Sequence, residues 1–257
     1  MSVQLIDTHC HLYLSEFDSD RPAVADRARE AGVTTFFLPA VDSTTHPALF
    51  QMERLDPVSF RIMMGLHPCS VMDNYGDELV IVRELVEKRS FAAIGEIGLD
   101  YYWDRSHDTE QQDAFEQQCA LALEKSLPVV IHSRESLGDC IKLIRPFAKQ
   151  GLKGIFHCFS GKPEEAEIIT DMGFYLGIGG VITYKNSGLA EVVKAVPLEN
   201  LVLETDAPYL APVPFRGKRN ESSYLPEIAR KLAVTKGITL EEVASTTTAN
   251  AQKIFGL

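Results

Sequence analysis

Two histidines flank one cysteine at the end of an apolar stretch, Leu5-Ile-Asp-Thr-His-Cys-His11. Residues two apart on a β-strand point to the same face. His9 and His11 are therefore expected to aim their imidazoles at one spot, with Cys10 turned away. Paired imidazoles pack poorly against each other and bind divalent metal well. Taken alone, such a pair fits a capped loop as readily as a metal site. Other ionisable residues narrow the choice. Of the seven histidines, five (His9, His11, His67, His132 and His157) fall at or just past the carboxyl end of an expected strand. Glu96, Glu204 and Asp206 do the same. The remaining two, His46 and His107, lie in loop or helix-start contexts and read as surface residues.

The elements that must position these groups alternate along the whole chain. Strand patterns cover residues 5–8, 34–41, 60–65, 91–95, 128–131, 154–156, 174–178 and 201–203. Helical patterns cover residues 22–31, 45–54, 77–88, 109–126, 137–149, 163–172, 189–195, 224–236 and 240–254. Strands separated by helices argue for parallel pairing. Continuously apolar cores such as Pro128-Val-Val-Ile131 suit strands covered on both faces. With 257 residues and no linker, repeat or low-complexity tract, the chain is expected to form one domain, residues 1–257. The α/β fold class expected is a single (β/α)8 TIM barrel, which typically takes about 250 residues; an open doubly wound sheet is the alternative. Gly177-Ile-Gly-Gly180 lacks the third spaced glycine and the acidic partner of a dinucleotide loop, so no nucleotide cofactor is expected.

In a barrel all carboxyl ends of strands lie on one face, where barrel enzymes hold their active sites. The histidines and carboxylates would meet there from six different strands. So many ionisable groups together need compensating charge, or some would neutralise. Divalent metal supplies it. A His and carboxylate donor set favours Zn, Mn, Mg, Fe or Co over Cu(I) or an iron–sulfur cluster. Two claws and a central carboxylate suggest two ions; pairs about 3.5–4 Å apart serve phosphoester hydrolysis.

Six motifs carry a resemblance: Asp7-Thr-His-Cys-His11, Gly65-Leu-His-Pro68, Gly95-Glu-Ile-Gly-Leu-Asp100, Ile131-His-Ser-Arg134, Phe156-His-Cys-Phe-Ser-Gly161 and Leu203-Glu-Thr-Asp-Ala-Pro208. Together, in this order, they resemble the TatD family of metal-dependent hydrolases within the amidohydrolase superfamily. The resemblance implies a barrel, two divalent ions per subunit (Zn, Mg or Mn) and deoxyribonuclease-type activity. It also implies a ligand scheme: His9, His11 and Asp206 on the first ion, Glu96 bridging, His132 and His157 on the second. Many superfamily relatives have a carboxylated lysine on strand four, and Glu96 stands there instead. Within that scheme Asp206 is expected to act as general base and Glu204 to support a ligand histidine. His67 is expected to contact phosphate or protonate the leaving group, and Arg134 to contact phosphate.

Composition bounds the alternatives. Charged residues make up 24% and the net charge is −11, so no broad basic face is available for duplex DNA. Arg216-Gly-Lys-Arg219 is the one dense basic cluster. A frayed or single-stranded end is the expected DNA or oligonucleotide substrate, with Tyr101, Tyr102 and Trp103 available to stack on bases or to anchor a loop. The five cysteines show no CxxC spacing and the N-terminus no signal-peptide pattern, which fits a cytoplasmic protein. No membrane association or protein partner is indicated. Hydrolysis of an ester or amide, including D-aminoacyl ester on tRNA, is the competing activity, and a non-catalytic metal-binding scaffold the third reading.

Overall fold

The computed structural model describes residues 4–257. Eight strands run in chain order: β1 (Leu5–Asp7), β2 (Val33–Leu38), β3 (Phe60–Ile62), β4 (Ile94–Asp100), β5 (Val129–Arg134), β6 (Gly154–Phe156), β7 (Tyr175–Ile178) and β8 (Leu201–Leu203). Between and after them lie the helices α1 (Arg21–Glu30), α2 (His46–Leu55), α3 (Tyr75–Lys88), α4 (Asp108–Lys125), α5 (Leu137–Lys149), α6 (Pro163–Asp171), α7 (Leu189–Ala195), α8 (Leu225–Lys236) and α9 (Leu240–Phe255). All named strand pairs are parallel and follow chain order, in the runs β1-β2-β3 and β4 to β8.

Backbone hydrogen bonds join the two runs at both seams. Ala92 N–H donates to Ile62 O, Met64 N–H to Ala93 O and Gly95 N–H to Met64 O, linking β3 to β4. Thr8 N–H donates to Leu203 O, and Cys10 bridges Ala207, linking β1 to β8. The sheet is thus closed into the expected (β/α)8 barrel.

Two hydrophobic clusters separate inside from outside. The smaller holds one residue from each strand or its immediate flank: Ile6, Phe37, Met63, Ala93, Val130, Ile155, Tyr175 and Val202. Side chains from eight parallel strands can meet in one cluster only by pointing into the barrel. Helix α9 seals this end, with Ala251 in the cluster and Phe255 stacked on Phe37 at 3.6 Å. The larger cluster lies between the strands and the helix ring. Counting two residues along from the interior layer places His132, His157 and Glu204 on the same inward face at the opposite end.

Several strand ends depart from the expected pattern: β2 and β3 stop three residues early, at Leu38 and Ile62, and β5 runs three residues further, to Arg134. The sequence places the end of strand four at residue 95, but β4 runs through Asp100. Its register on β5 slips between Ile94 and Ile97, so three steps on β4 match two on β5. That extra residue is a bulge, and it reverses which residues face inward. Glu96 then joins the inward face although it is an odd number of residues from Ala93. Strand β1, conversely, stops at Asp7, and the chain bends at Thr8 and His9.

Candidate metal centre

The expected site residues lie together at the carboxyl end of the barrel, around Glu96. His9 Nε2 is 3.1 Å and His11 Nε2 3.7 Å from Glu96 Oε2. On Oε1 the neighbours are His132 Nδ1 at 2.9 Å, His67 Nε2 at 3.5 Å and His157 Nε2 at 3.6 Å. Asp206 Oδ1 closes the ring, 3.6 Å from His11 Nε2 and 3.8 Å from both His9 Nε2 and His157 Nε2. Asp206 holds its place in the left-handed region, at φ 58°, and its N–H donates to His9 O at 2.9 Å. Aspartate tolerates that conformation better than most residues.

Around this ring a second layer orients the imidazoles. Tyr13 O–H donates to Pro39 O at 2.7 Å, so its oxygen receives the Nδ1 proton of His11 at 3.1 Å. That tautomer leaves the His11 Nε2 lone pair facing Glu96 and Asp206. Glu204 Oε1 sits 3.0 Å from His157 Nδ1 as an ion-pair contact, and accepts the Cys158 N–H at 2.5 Å. A Cβ on Gly177 would overlap the Glu204 carboxylate, so glycine is needed on β7 to admit it. His132 is gripped at both nitrogens, by Glu96 and, at 2.8 Å from Nε2, by Asp100 Oδ2. Gly98 lies between these two acids on the same face of β4, at φ 136°, where a Cβ would overlap the His132 backbone.

The charges are mutually dependent. Burial by itself would raise Glu96, but the surrounding histidines hold it well below the usual carboxylate range. Asp206 is likewise kept low against burial by His11, His157 and His9. Burial opposes protonation of His157, yet Glu204, Glu96 and Asp206 outweigh it and take the imidazole up to about 10. His9, stacked on His157 with ring centroids 3.5 Å apart, is pushed down by burial and by that neighbouring cation.

Histidine nitrogens and carboxylate oxygens this close form a donor set suited to divalent ions. His9, His11 and Asp206 present ligand atoms within 4.8 Å of one another, as do His9, Glu96 and His157, and also His67, Glu96 and His132. The buried Nδ1 of His9 finds no hydrogen-bond partner among the described residues, which leaves that ring held by its Nε2 contacts alone. The residues therefore fit a metal. His132 and His157 reach the same oxygen of Glu96 but from different triads, so the grouping is wider than the one set the sequence suggests. His67 belongs to one of these triads by distance, but its chemistry differs. Cys69 N–H donates to His67 Nδ1 at 3.0 Å, so the neutral ring keeps its proton on Nε2.

Several sequence expectations need correction or detail. His46, expected on the surface, is buried at the start of α2, tilted against the Phe50 ring at 6.1 Å. His107 is partly buried near Glu110. In the basic cluster, Arg219 is committed to Asp20 by two 2.8 Å hydrogen bonds, and Arg216 lies over the Tyr184 ring. Tyr101 is a packed anchor, whereas Tyr102, Trp103 and Arg134 are exposed. Asp100 and Tyr13 take part in the site without standing out in the sequence. A period-two count onward from Glu96 finds Asp100, and one from His11 finds Tyr13.

Comparisons with known proteins give the family and the fold. The sequence profile described as TatD related DNase matches residues 6–256. The chain is 40% identical over 253 residues to the uncharacterized metal-dependent hydrolase YabD of Bacillus subtilis, covering 98% of each protein. It is 34% identical over 259 residues to the 3'-5' ssDNA/RNA exonuclease TatD of Pantoea ananatis, covering 98% of this chain and 100% of that one. The crystal structure of YJJV, a TatD homologue from Escherichia coli, superposes with a TM-score of 0.93 at 29% identity, over 100% of both chains.

Proposed function

The chain belongs to the TatD-related DNase family of metal-dependent hydrolases, and from that premise we propose that it hydrolyses phosphodiester bonds at the ends of single-stranded nucleic acid. The observation that carries the reading is the convergence of five imidazoles on one carboxylate, Glu96, at the mouth of a closed barrel, with Asp206 set against three of those rings. The exonuclease activity of the Pantoea relative supports the choice of bond and of single strands. Two divalent ions per subunit (Zn, Mg or Mn) would be held by His9, His11 and Asp206 on one side and by His132 and His157 on the other, with Glu96 between. Such ions lower the pKa of water and offset the charge that develops on phosphoryl oxygens.

The protein's own groups do the rest. Asp206, kept ionised by its histidine neighbours, accepts the proton of the attacking water. Glu204 fixes the orientation of His157. Its Cys69 contact leaves His67 with one proton, on Nε2, so it serves as a hydrogen-bond donor to a non-bridging phosphate oxygen. Protonating a leaving group would require a second ring proton, at the nitrogen the Cys69 amide occupies. Arg134 contributes a positive charge from the end of β5. Residues 1–257 act as one catalytic domain, with α9 closing the barrel floor. Among the described residues no helix is long and apolar enough to cross a membrane. All five cysteines are free thiols, which suits a cytoplasmic protein.

The test is turnover of 3′- or 5′-labelled single-stranded oligonucleotides by metal-stripped protein, then by protein resupplied with Mg, Mn or Zn. Cleavage is expected only after resupply. Metal-dependent turnover of ester or amide substrates, with oligonucleotides untouched, would replace this reading.

A further inference from the structure

Beside the metal centre the β4–α4 loop leaves large rings in water. Trp103 is 69% and Tyr102 49% exposed, while the adjoining Tyr101 is only 7% exposed. Tyr102 and Trp103 meet edge to face at 4.9 Å. The Arg134 guanidinium lies over both, 3.7 Å from the Tyr102 ring centre and 5.1 Å from that of Trp103. In a chain with 36 acidic and 25 basic residues, this arginine forms no ion pair among the described residues. Its guanidinium is held against the two aromatic faces instead.

The loop is held in place before any ligand arrives. Asp100 Oδ1 accepts the N–H groups of Tyr102 at 3.0 Å and Trp103 at 3.3 Å, while its other oxygen holds His132. Beneath them, Tyr101 O–H donates to Asp139 at 3.1 Å and accepts from Gln112 at 2.8 Å. One buried carboxylate thus fixes the distance between a candidate metal ligand and the exposed rings. Burying Tyr102 and Trp103 would have been favourable for folding, so the fold gives up that gain while using four hydrogen bonds to present them. What such a surface binds is a flat, uncharged π-face, and nucleobases are the π-faces a nucleic acid offers.

We propose that Tyr102, Trp103 and Arg134 form a stacking platform for unpaired bases next to the scissile phosphate, so that base stacking, more than phosphate charge, captures the substrate. This rests on the phosphodiesterase reading for its purpose, though not for its test. The net charge of −11 gives the same direction, because such a surface attracts phosphates weakly and must draw affinity from elsewhere. Duplex ends, whose bases are stacked on each other, would bind poorly until frayed.

Trp103 is the single tryptophan of the chain, so intrinsic fluorescence reports this platform alone. Metal-loaded protein is titrated with a single-stranded thymidine oligonucleotide whose methylphosphonate linkages are uncharged and resist hydrolysis. Saturable quenching is expected, insensitive to salt, weakened about tenfold or more in Tyr102→Ala and absent with the same backbone carrying abasic sugars. In turnover of ordinary oligonucleotides, Trp103→Ala should raise KM about tenfold with little change in kcat, and Trp103→Phe should restore part of the loss. Equal quenching by the abasic chain, or no quenching at all, overturns the platform, as does an unchanged KM in Trp103→Ala. If wild-type protein cleaves no phosphodiester yet quenching is base-dependent, the platform stands and the proposed reaction falls. If it cleaves without quenching, the reaction stands and the platform falls.

Discussion

Glu204→Gln isolates the layer behind the ligands. The carboxylate is fully buried, with Oε1 against both His157 Nδ1 and the Cys158 amide, and Oε2 buried with no hydrogen-bond partner among the described residues. Glutamine has nearly the same shape. Its carbonyl oxygen can keep the Oε1 place, accepting from the Cys158 amide and staying against His157 Nδ1, and its amide nitrogen takes the Oε2 place, so the variant should fold. What disappears is the charge. A hydrogen bond to a charged acceptor contributes about 1.5–3 kcal/mol net and a neutral one about 0.5–1.5 kcal/mol. The difference, about 1–2 kcal/mol, is about 5- to 30-fold and overlaps the lower half of the about 10- to 100-fold loss of metal affinity usual for changes behind a ligand histidine. Isothermal calorimetry with Mn or Zn, on protein whose circular dichroism is unchanged, measures it directly. The expected result is an affinity lower by about tenfold or more. Unaltered affinity would mean that the Glu204 contact does not orient a metal ligand, and His157 would lose its place in the ligand scheme.

Three further outcomes follow from the same geometry. Asp206→Asn and Glu96→Ala should each abolish metal-dependent hydrolysis, the former by at least about 10²-fold from loss of the base, with the barrel intact by circular dichroism; full activity in either removes the mechanism. Gly98→Ala places a methyl into the His132 backbone at a positive φ, and should lower stability to urea by about 2–4 kcal/mol; a change within error would show that β4 and β5 separate freely there. Asp20 is held at about 2 by Arg219 and Arg27, against about 3.9 when unfolded. The unfolded chain therefore takes up the proton first as pH falls. The contribution is complete above about pH 4 and is lost as pH falls through 2; with the side chain about one-third exposed it amounts to no more than about 1 kcal/mol. In Asp20→Asn, urea denaturation between pH 5 and 2 should show a correspondingly shallower loss, and an identical slope would discard the pairing.

Much of this architecture is legible in the sequence because its signals are local. Parallel strands covered on both faces appear as short apolar runs, and glycine or polar turns separate them from amphipathic helices. The ends of β5, β6 and β8 are legible for a further reason. In each, an inward apolar residue (Val130, Ile155, Val202) is followed two positions later by His132, His157 or Glu204. The burial of His46 is hidden from such a count because a helix-start residue is covered by parts of the fold that no local pattern records, as the Ser43–Glu78 bond across 35 positions in the same region illustrates.

The bulge in β4 is the instructive exception. Strict alternation from Ala93 in the interior layer would send Glu96 outward, into the helix ring, where an ionised carboxylate has no compensating partner. One unmatched residue between Ile94 and Ile97 reverses the alternation, so that Glu96, Gly98 and Asp100 share the inward face. The two acids then grip His132 from either side, and the glycine between them lets the β5 backbone come close enough for both contacts. The same bulge sets the position of the loop that carries Tyr102 and Trp103, since their amides hang on Asp100. A single departure from regular pairing thus fixes the central carboxylate, a candidate ligand and the aromatic platform relative to one another. Restoring regular register by deleting one residue there would disable all three together, whereas point changes at any one of them should leave the other two in place.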